Sequence, residues 1–191
     1  MNQRLMDLAT GLNLELTPWM LDQIDALAQW LEGEGVASGG LGPRETDRIA
    51  DRHLLDSLSF AAGWESPPDT VADFGSGVGL PGLVLAVVWP FTRVTLIDRS
   101  SKRCDLARRA TRVAEIEGVE VVQADIFSVS ELRSAIVSRA AAPASTLRPL
   151  LEERLLPEGR AVVSGDGRPV EGFSSLRILD QPSRLLMMQK S

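Results

Sequence analysis

The chain has 191 residues, 44% hydrophobic and 24% charged, with a formal net charge of −6. That length suits one α/β domain with its own core and a small helical extension. No apolar run approaches the ~18 residues of a membrane span. One cysteine, Cys104, leaves no internal disulfide, and a single histidine, His53, leaves no zinc-type ligand set. Met1 to Thr10 shows no basic-then-apolar leader pattern, so a cytoplasmic protein without metal or membrane attachment is expected. The charge is unevenly spread. Residues 1–40 carry Arg4 against six carboxylates, whereas residues 93–112 carry seven basic side chains against Asp98 and Asp105. A local basic face of this kind can meet phosphates even on an acidic protein, and it equally suits a solvated helix face.

In chain order, the first helix signal starts at Thr17. Thr17 caps, Pro18 takes the first helical position, and Trp19, Met20, Ile24, Leu27 and Leu31 form an apolar stripe that Gly33 and Gly35 end. Residues 36–43 read as a Gly/Ser-rich connector. A second helix is expected over 44–62, with Ile49, Leu54, Leu55 and Leu58 facing inward, and Pro67 and Pro68 close this helical prelude. From residue 70 short apolar strands alternate with helices. Strands are expected at 71–74, 93–97, 119–123, 135–138 and 160–164, and helices at 80–88, 100–117 and 145–155. A closing hairpin is expected from 175–179 and 184–188 around Pro182 and Ser183. The alternation implies a doubly wound, Rossmann-like α/β fold with a seven-stranded, mostly parallel sheet, a terminal antiparallel hairpin and N-terminal helices. Residues 1–66 would form the helical extension and 67–191 the ligand-binding domain, together one structural unit.

The strongest signal is the run Asp73-Phe74-Gly75-Ser76-Gly77-Val78-Gly79-Leu80-Pro81-Gly82, which follows the first strand and opens a helix. Glycines allow a sharp bend and close approach to a ligand, and ligands of open α/β sheets bind beyond the strand carboxyl ends. Asp98 ends the second strand, where a carboxylate can accept hydrogen bonds from both hydroxyls of an adenosine ribose. Gly77-x-Gly79-x-x-Gly82 followed by Asp98 also fits a dinucleotide fingerprint, and a merely structural loop is a third reading. Asp73 and Pro81 favour a different ligand. A negative charge at the strand end suits the cationic methionine moiety of S-adenosylmethionine, and Pro81 removes a backbone N–H that a pyrophosphate would use.

This loop resembles that of the bacterial 16S rRNA guanine-N7 methyltransferase family, also called glucose-inhibited division protein B. Three further segments match in order: Arg52-His53-Leu54-Leu55-Asp56-Ser57-Leu58, Val94-Thr95-Leu96-Ile97-Asp98 with Lys102-Arg103 after it, and Val137-Ser138-Arg139-Ala140. The resemblance implies a class I methyltransferase fold and a monomeric cytoplasmic enzyme. Its cofactor would be S-adenosylmethionine and its partner 16S rRNA or the small ribosomal subunit. Carried over by position, the cofactor would meet Asp73, Gly75, Ser76, Gly77, Gly79, Leu80, Asp98, Arg99, Asp125, Ile126, Phe127 and Arg139. Arg52, His53, Lys102 and Arg103 would face the RNA.

Guanine N7 bears a lone pair and no proton, so methyl transfer to it needs alignment and charge stabilisation rather than a general base. No catalytic residue is therefore expected beyond positioning groups, with Arg139 the candidate at a strand end. A C5-pyrimidine methyltransferase would need a nucleophilic Cys, and Cys104 lies within the basic helix as a structural thiol. His53 reads as a packed or capping residue. Asp56 and Ser57 read as helix-surface residues that could also touch RNA or cofactor. Two segments depart from the family pattern. Gly40-Leu41-Gly42-Pro43 stands where Asn-Leu-Thr is expected, and Ser164-Gly165-Asp166-Gly167-Arg168-Pro169 is too short and glycine-rich for the usual helix. Both lie on the substrate side, which leaves a methyltransferase on another acceptor, or a non-catalytic adenosylmethionine binder, as alternatives. An NAD-linked oxidoreductase would need a proton relay, for which only His53 offers itself.

Overall fold

A computed structural model describes residues 3–39, 41–42, 49–179 and 181–191. The prelude contains α1 (Gln3–Gly11), α2 (Pro18–Trp30) and α3 (Leu55–Ser59). The sheet strands are β1 (Thr70–Phe74), β2 (Arg93–Asp98), β3 (Val119–Gln123), β4 (Arg133–Ser138), β5 (Leu155–Ser164), β6 (Ser174–Ile178) and β7 (Gln181–Gln189). The helices between them are α4 (Gly82–Val88), α5 (Ser101–Val113) and α6 (Ala144–Arg154). Strand order is β3-β2-β1-β4-β5-β7-β6. β1 to β5 run parallel, and β7 enters antiparallel between β5 and β6. The expected seven-stranded doubly wound sheet with its terminal hairpin is therefore observed. The chain winds outward from β1 to β3 and returns to place β4 on the other side of β1. This topological switch opens a crevice at the carboxyl ends of β1 and β4.

The period-2 alternation of strand side chains sorts the core into two layers. Val71, Val94, Leu96, Val137 and Val162 face α4, α5 and the prelude. Ala72, Phe74, Ile97, Ile136, Ala161 and Val163 face α6. Every residue of α4 is buried, because α2 and α3 pack over it from outside while β1 and β2 lie beneath. This explains a helix that is apolar all round. The prelude thus shares a core with the sheet instead of standing apart.

Several local details differ from expectation. α1 carries only three buried residues, Leu5, Leu8 and Ala9, too short a stripe to announce a helix. Thr17 does cap α2, its Oγ1 accepting the Met20 N–H at 3.3 Å, but Trp19 of the predicted stripe is 49% exposed. Gly33 and Gly35 do not stop the chain's helical course; a π-turn over Leu31–Gly35 continues it. The second predicted helix is described only from Ile49, as a π-turn (Ile49–Leu54), α3 and a 3₁₀ turn (Phe60–Gly63); residues 43–48 lie outside the described part. β5 begins directly after α6, several residues before its apolar half. As its composition suggested, residues 165–173 join β5 to β6 without a helix, and Val170 and Phe173 pack onto the second face there.

The junction of β1 with α4 fixes the bend between them. Asp73 is fully buried, and its Oδ2 accepts the Gly82 N–H at 2.8 Å. Period 2 points this side chain to the α4 side of the sheet, beneath the helix start. Burial pushes its carboxyl up to about 7, against the lowering effects of the Gly82 N–H and the Arg139 charge. Gly82 has no room for a side chain. A Cβ there would stand 2.3 Å from Leu96 Cδ2 and 2.9 Å from Asp73 Oδ2.

Two outcomes are expected from this junction. Gly82→Ala should lower stability by about 1–3 kcal/mol through overpacking, read as a fall in the thermal midpoint. The second concerns pH. The folded chain keeps a proton on Asp73 that the unfolded chain has lost between its ordinary value of 3.8 and about 7. This group therefore makes stability fall as pH rises through that window, with no further change above it. Asp73→Asn removes the titration. Urea unfolding of parent and variant from pH 4 to pH 8 should show the parent losing on the order of 2–4 kcal/mol relative to the variant.

Candidate ligand cavity at the β1–β4 crevice

A cavity of about 560 Å³ opens at the strand carboxyl ends. Its floor is the bend after β1. Gly75 and Ser76 both donate their N–H groups to the Ile97 carbonyl, at 2.8 and 3.0 Å. Gly77 N–H reaches Asp98 Oδ2 at 3.0 Å, and Ser100 N–H reaches Oδ1 at 2.9 Å. Gly75 adopts φ +72°, a left-handed conformation, and a Cβ on it would lie 2.4 Å from Ala141 Cβ. Only glycine fits at this point without displacing the opposite wall.

Asp98 is 3% exposed and lines the cavity. Each of its oxygens accepts one backbone N–H, which leaves a lone pair on each for a ligand. Arg103 lies 3.7 Å from Oδ2. Ser100 caps α5, its Oγ accepting the Arg103 N–H at 3.4 Å, so the Asp98 turn leads straight into the basic helix. Cys104 is buried beneath, with its thiol directed to the Asp98 carbonyl at 3.3 Å. Burial and the Asp98 charge raise its thiol, which disfavours the thiolate and suits the structural role expected of it.

After β3, Asp125 Oδ1 accepts the Phe127 N–H at 3.0 Å. This shapes a 3₁₀ turn (Ile126–Ser128). Ile126 is buried and Phe127 exposed, and all three residues line the cavity. At the end of β4, Ser138 Oγ donates to the Phe74 carbonyl at 2.8 Å, and Ala140 N–H donates to Ser164 Oγ at 2.9 Å. These bonds tie the ends of β1, β4 and β5 into one rim. Between Ser138 and Ala140, Arg139 turns toward the prelude. Its Nη1 donates to the His53 carbonyl at 3.3 Å and to Ser57 Oγ at 3.4 Å. Burial lowers its guanidinium, while the charges of Asp73 and Asp56 act in the opposite direction.

Of the residues expected to meet a cofactor, Gly75, Ser76, Gly77, Leu80, Asp98, Arg99, Asp125, Ile126, Phe127 and Arg139 line this cavity. Asp73 and Gly79 do not. Asp73 lies below the floor and holds Gly82, and the φ +103° turn at Gly79 presses against Leu83. Of the residues expected to face RNA, Arg52, His53 and Arg103 reach the wall. Lys102 stands outside it, exposed on α5. The structure adds Leu41, Asp56, Val78, Ala140, Ala141 and Ser164. Asp56 was visible as part of the Arg52–Leu58 segment. Ala140, Ala141 and Ser164 carry no chemical signal in sequence and arrive only because they end β4 and β5.

The basic stretch is partly neutralised within the chain. Arg108 meets Asp105 at 3.0 Å and the Val121 carbonyl at 3.1 Å. Arg109 pairs with Glu34 of the prelude and holds its carboxyl below the ordinary range. Among the described residues no helix is long and apolar enough to cross a membrane.

A protein with 46% identity over 95 residues is the ribosomal RNA small subunit methyltransferase G of Mycobacterium sp. (strain KMS); the match covers 50% of this chain and 40% of that protein. The chain thus spans less than half the length of that relative. The protein of the same description from Halorhodospira halophila is 34% identical over 166 residues, covering 86% of this chain and 78% of its own. Among solved structures, magnesium protoporphyrin IX methyltransferase from Synechocystis PCC 6803, with bound S-adenosylmethionine, superposes with a TM-score of 0.59. It shares 16% identity and covers 88% of this chain and 97% of its own, a likeness of fold. The model of the family described as rRNA small subunit methyltransferase G matches residues 20–166, and the chain belongs to that family.

Proposed function

We propose that this chain transfers a methyl group from S-adenosylmethionine to guanine N7 of 16S rRNA in the small ribosomal subunit. The observation that carries the reading is Asp98, buried at the end of β2, with a lone pair on each oxygen left over beside the glycine bend. Two ribose hydroxyls could donate to those lone pairs. Ile126 and Phe127 would flank the adenine, with Asp125 holding their turn in shape. Arg139 would supply a fixed positive charge for the methionine carboxylate. Asp73 would act from below the floor: its carboxyl stands near 7, so a cation bound above it would favour the ionised form. Such a donor would supply an electrophilic methyl on a positively charged sulfur. The chain would contribute alignment and a fixed electrostatic frame. N7 carries no proton to remove, so neither His53 nor the wall carboxylates Asp56, Asp98 and Asp125 would need to act as a general base.

Family membership supports the rRNA acceptor, and the basic side chains beside the mouth, Arg52, Arg99, Lys102 and Arg103, suit a phosphate backbone. On this reading the chain acts as a single structural unit, a cytoplasmic monomer. A methyltransferase on another acceptor is the second reading. The helix-free link over residues 165–173 favours it, since that link lies beside Ser164 on the cavity rim.

Labelled methyl transfer to 30S particles that lack the modification separates the two readings, and product mapping to a guanine N7 is the expected result. Asp98→Ala should weaken S-adenosylmethionine binding by about tenfold or more in calorimetry. Its thermal midpoint should fall as well, because Gly77 and Ser100 lose their acceptor. Lys102→Glu should raise the KM for RNA by about fivefold at low salt and leave the donor Kd within about twofold. Unchanged RNA kinetics in that variant would remove α5 from the RNA-facing surface.

A further inference from the structure

We propose that Ser57 is a positioning residue for Arg139, so that the N-terminal prelude sets the geometry of the methyl-donor site. The inference rests on the reading of the β1–β4 crevice as that site. Arg139 leaves β4 at a point where, among the described residues, the sheet supplies no hydrogen-bond acceptor for its guanidinium. Its Nη1 instead finds its acceptors across the crevice, the His53 carbonyl at 3.3 Å and Ser57 Oγ at 3.4 Å. Ser57 is fully buried. Its hydroxyl donates to the same His53 carbonyl at 2.6 Å, which commits its proton and turns its lone pairs toward Arg139. The three groups form a closed triangle in which the serine orients both the carbonyl and the guanidinium.

The arrangement gives Ser57 a task that its place on a short helix does not require. A serine hydroxyl bonded to the carbonyl four residues earlier is a common way to satisfy a buried side chain. Receiving a guanidinium from a strand 82 residues away in sequence is an additional contact. One Nη is held at the back of the crevice, so the remaining N–H groups of the planar fork are presented to the cavity in a fixed orientation. Without the serine, Nη1 would keep only the His53 carbonyl as its anchor, and the fork could pivot about that single contact.

The test is calorimetry with S-adenosylmethionine on the full chain, with thermal melts of each variant in the absence of donor. Ser57→Ala should weaken donor binding about tenfold, and Ser57→Thr, which keeps the hydroxyl, should restore most of that loss. Arg139→Ala should weaken binding at least as much. Adding Ser57→Ala to Arg139→Ala should then change nothing further, because the serine acts through the arginine. Independent losses that multiply in the double variant would overturn the proposal and give Ser57 a purely structural role, as would unchanged binding in Ser57→Ala. Unchanged binding in Arg139→Ala would overturn the proposal while leaving the donor reading in place. A parent chain that binds no S-adenosylmethionine would overturn the donor reading, and the proposal with it.

Discussion

The first half of the bend after β1 is held by the end of β2. The Ile97 carbonyl takes two consecutive N–H groups from Gly75 and Ser76, and the Asp98 carboxylate takes the Gly77 N–H. A loop that must pass close to a ligand cannot satisfy its amides with bulky side chains, because these would fill the space the ligand needs. It borrows acceptors from the neighbouring strand instead. Parallel pairing puts β1 and β2 in register up to Phe74 and Ile97, so those acceptors lie where the bend begins. Asp98 then continues into Ser100 and α5. One carboxylate therefore joins the floor of the cavity, the end of a strand and the start of the basic helix.

Two carboxylates stand at the ends of adjacent strands, yet their environments differ. Asp98 opens on the cavity and accepts backbone N–H groups on both oxygens. Asp73 is sealed under α4, accepts one N–H, and its second oxygen has no partner among the described residues. Burial without a full set of donors favours the neutral acid, and this accounts for the raised Asp73 carboxyl. Sequence order alone suggested that Asp73 would face a ligand directly. The pleat decides otherwise, since position 73 shares a face with Val71 and points into the packed side of the sheet.

The sheet, its topology and its glycine bend were legible because each rests on a strong local signal. Those signals are period-2 apolar runs, Gly/Pro punctuation and acidic residues at two strand ends. The parts that were not legible depend on distant pairing. α1 has too few apolar residues to show a stripe, and it is helical because Leu5, Leu8 and Ala9 join the core shared with α4. The first half of β5, Leu155 to Arg160, contains a proline and a glycine, is exposed for much of its length and becomes a strand where Arg133 pairs with Leu155. Ala140, Ala141 and Ser164 reach the cavity wall only through the β4–β5 alignment. The contact of Ser57 with Arg139 crosses from the prelude to the sheet, and neither segment alone contains a hint of it.

The charge distribution follows the same division between local and distant effects. Along the chain, residues 93–112 form a basic block and residues 1–40 an acidic one. In the folded chain the blocks adjoin, because α2 packs on α5 and Glu34 pairs with Arg109. Exposed pairs of this kind add little stability, but they change what remains available. Arg108 and Arg109 are occupied along the middle of α5, while Arg99, Lys102 and Arg103 stand at its start, beside the cavity mouth. Arg52 joins them from the prelude wall. The net effect leaves a basic collar beside one opening, with Arg112 exposed at the far end of the helix. On the proposed reading, an acidic protein would then attract a polyanion at that collar, which orients the encounter as well as strengthening it.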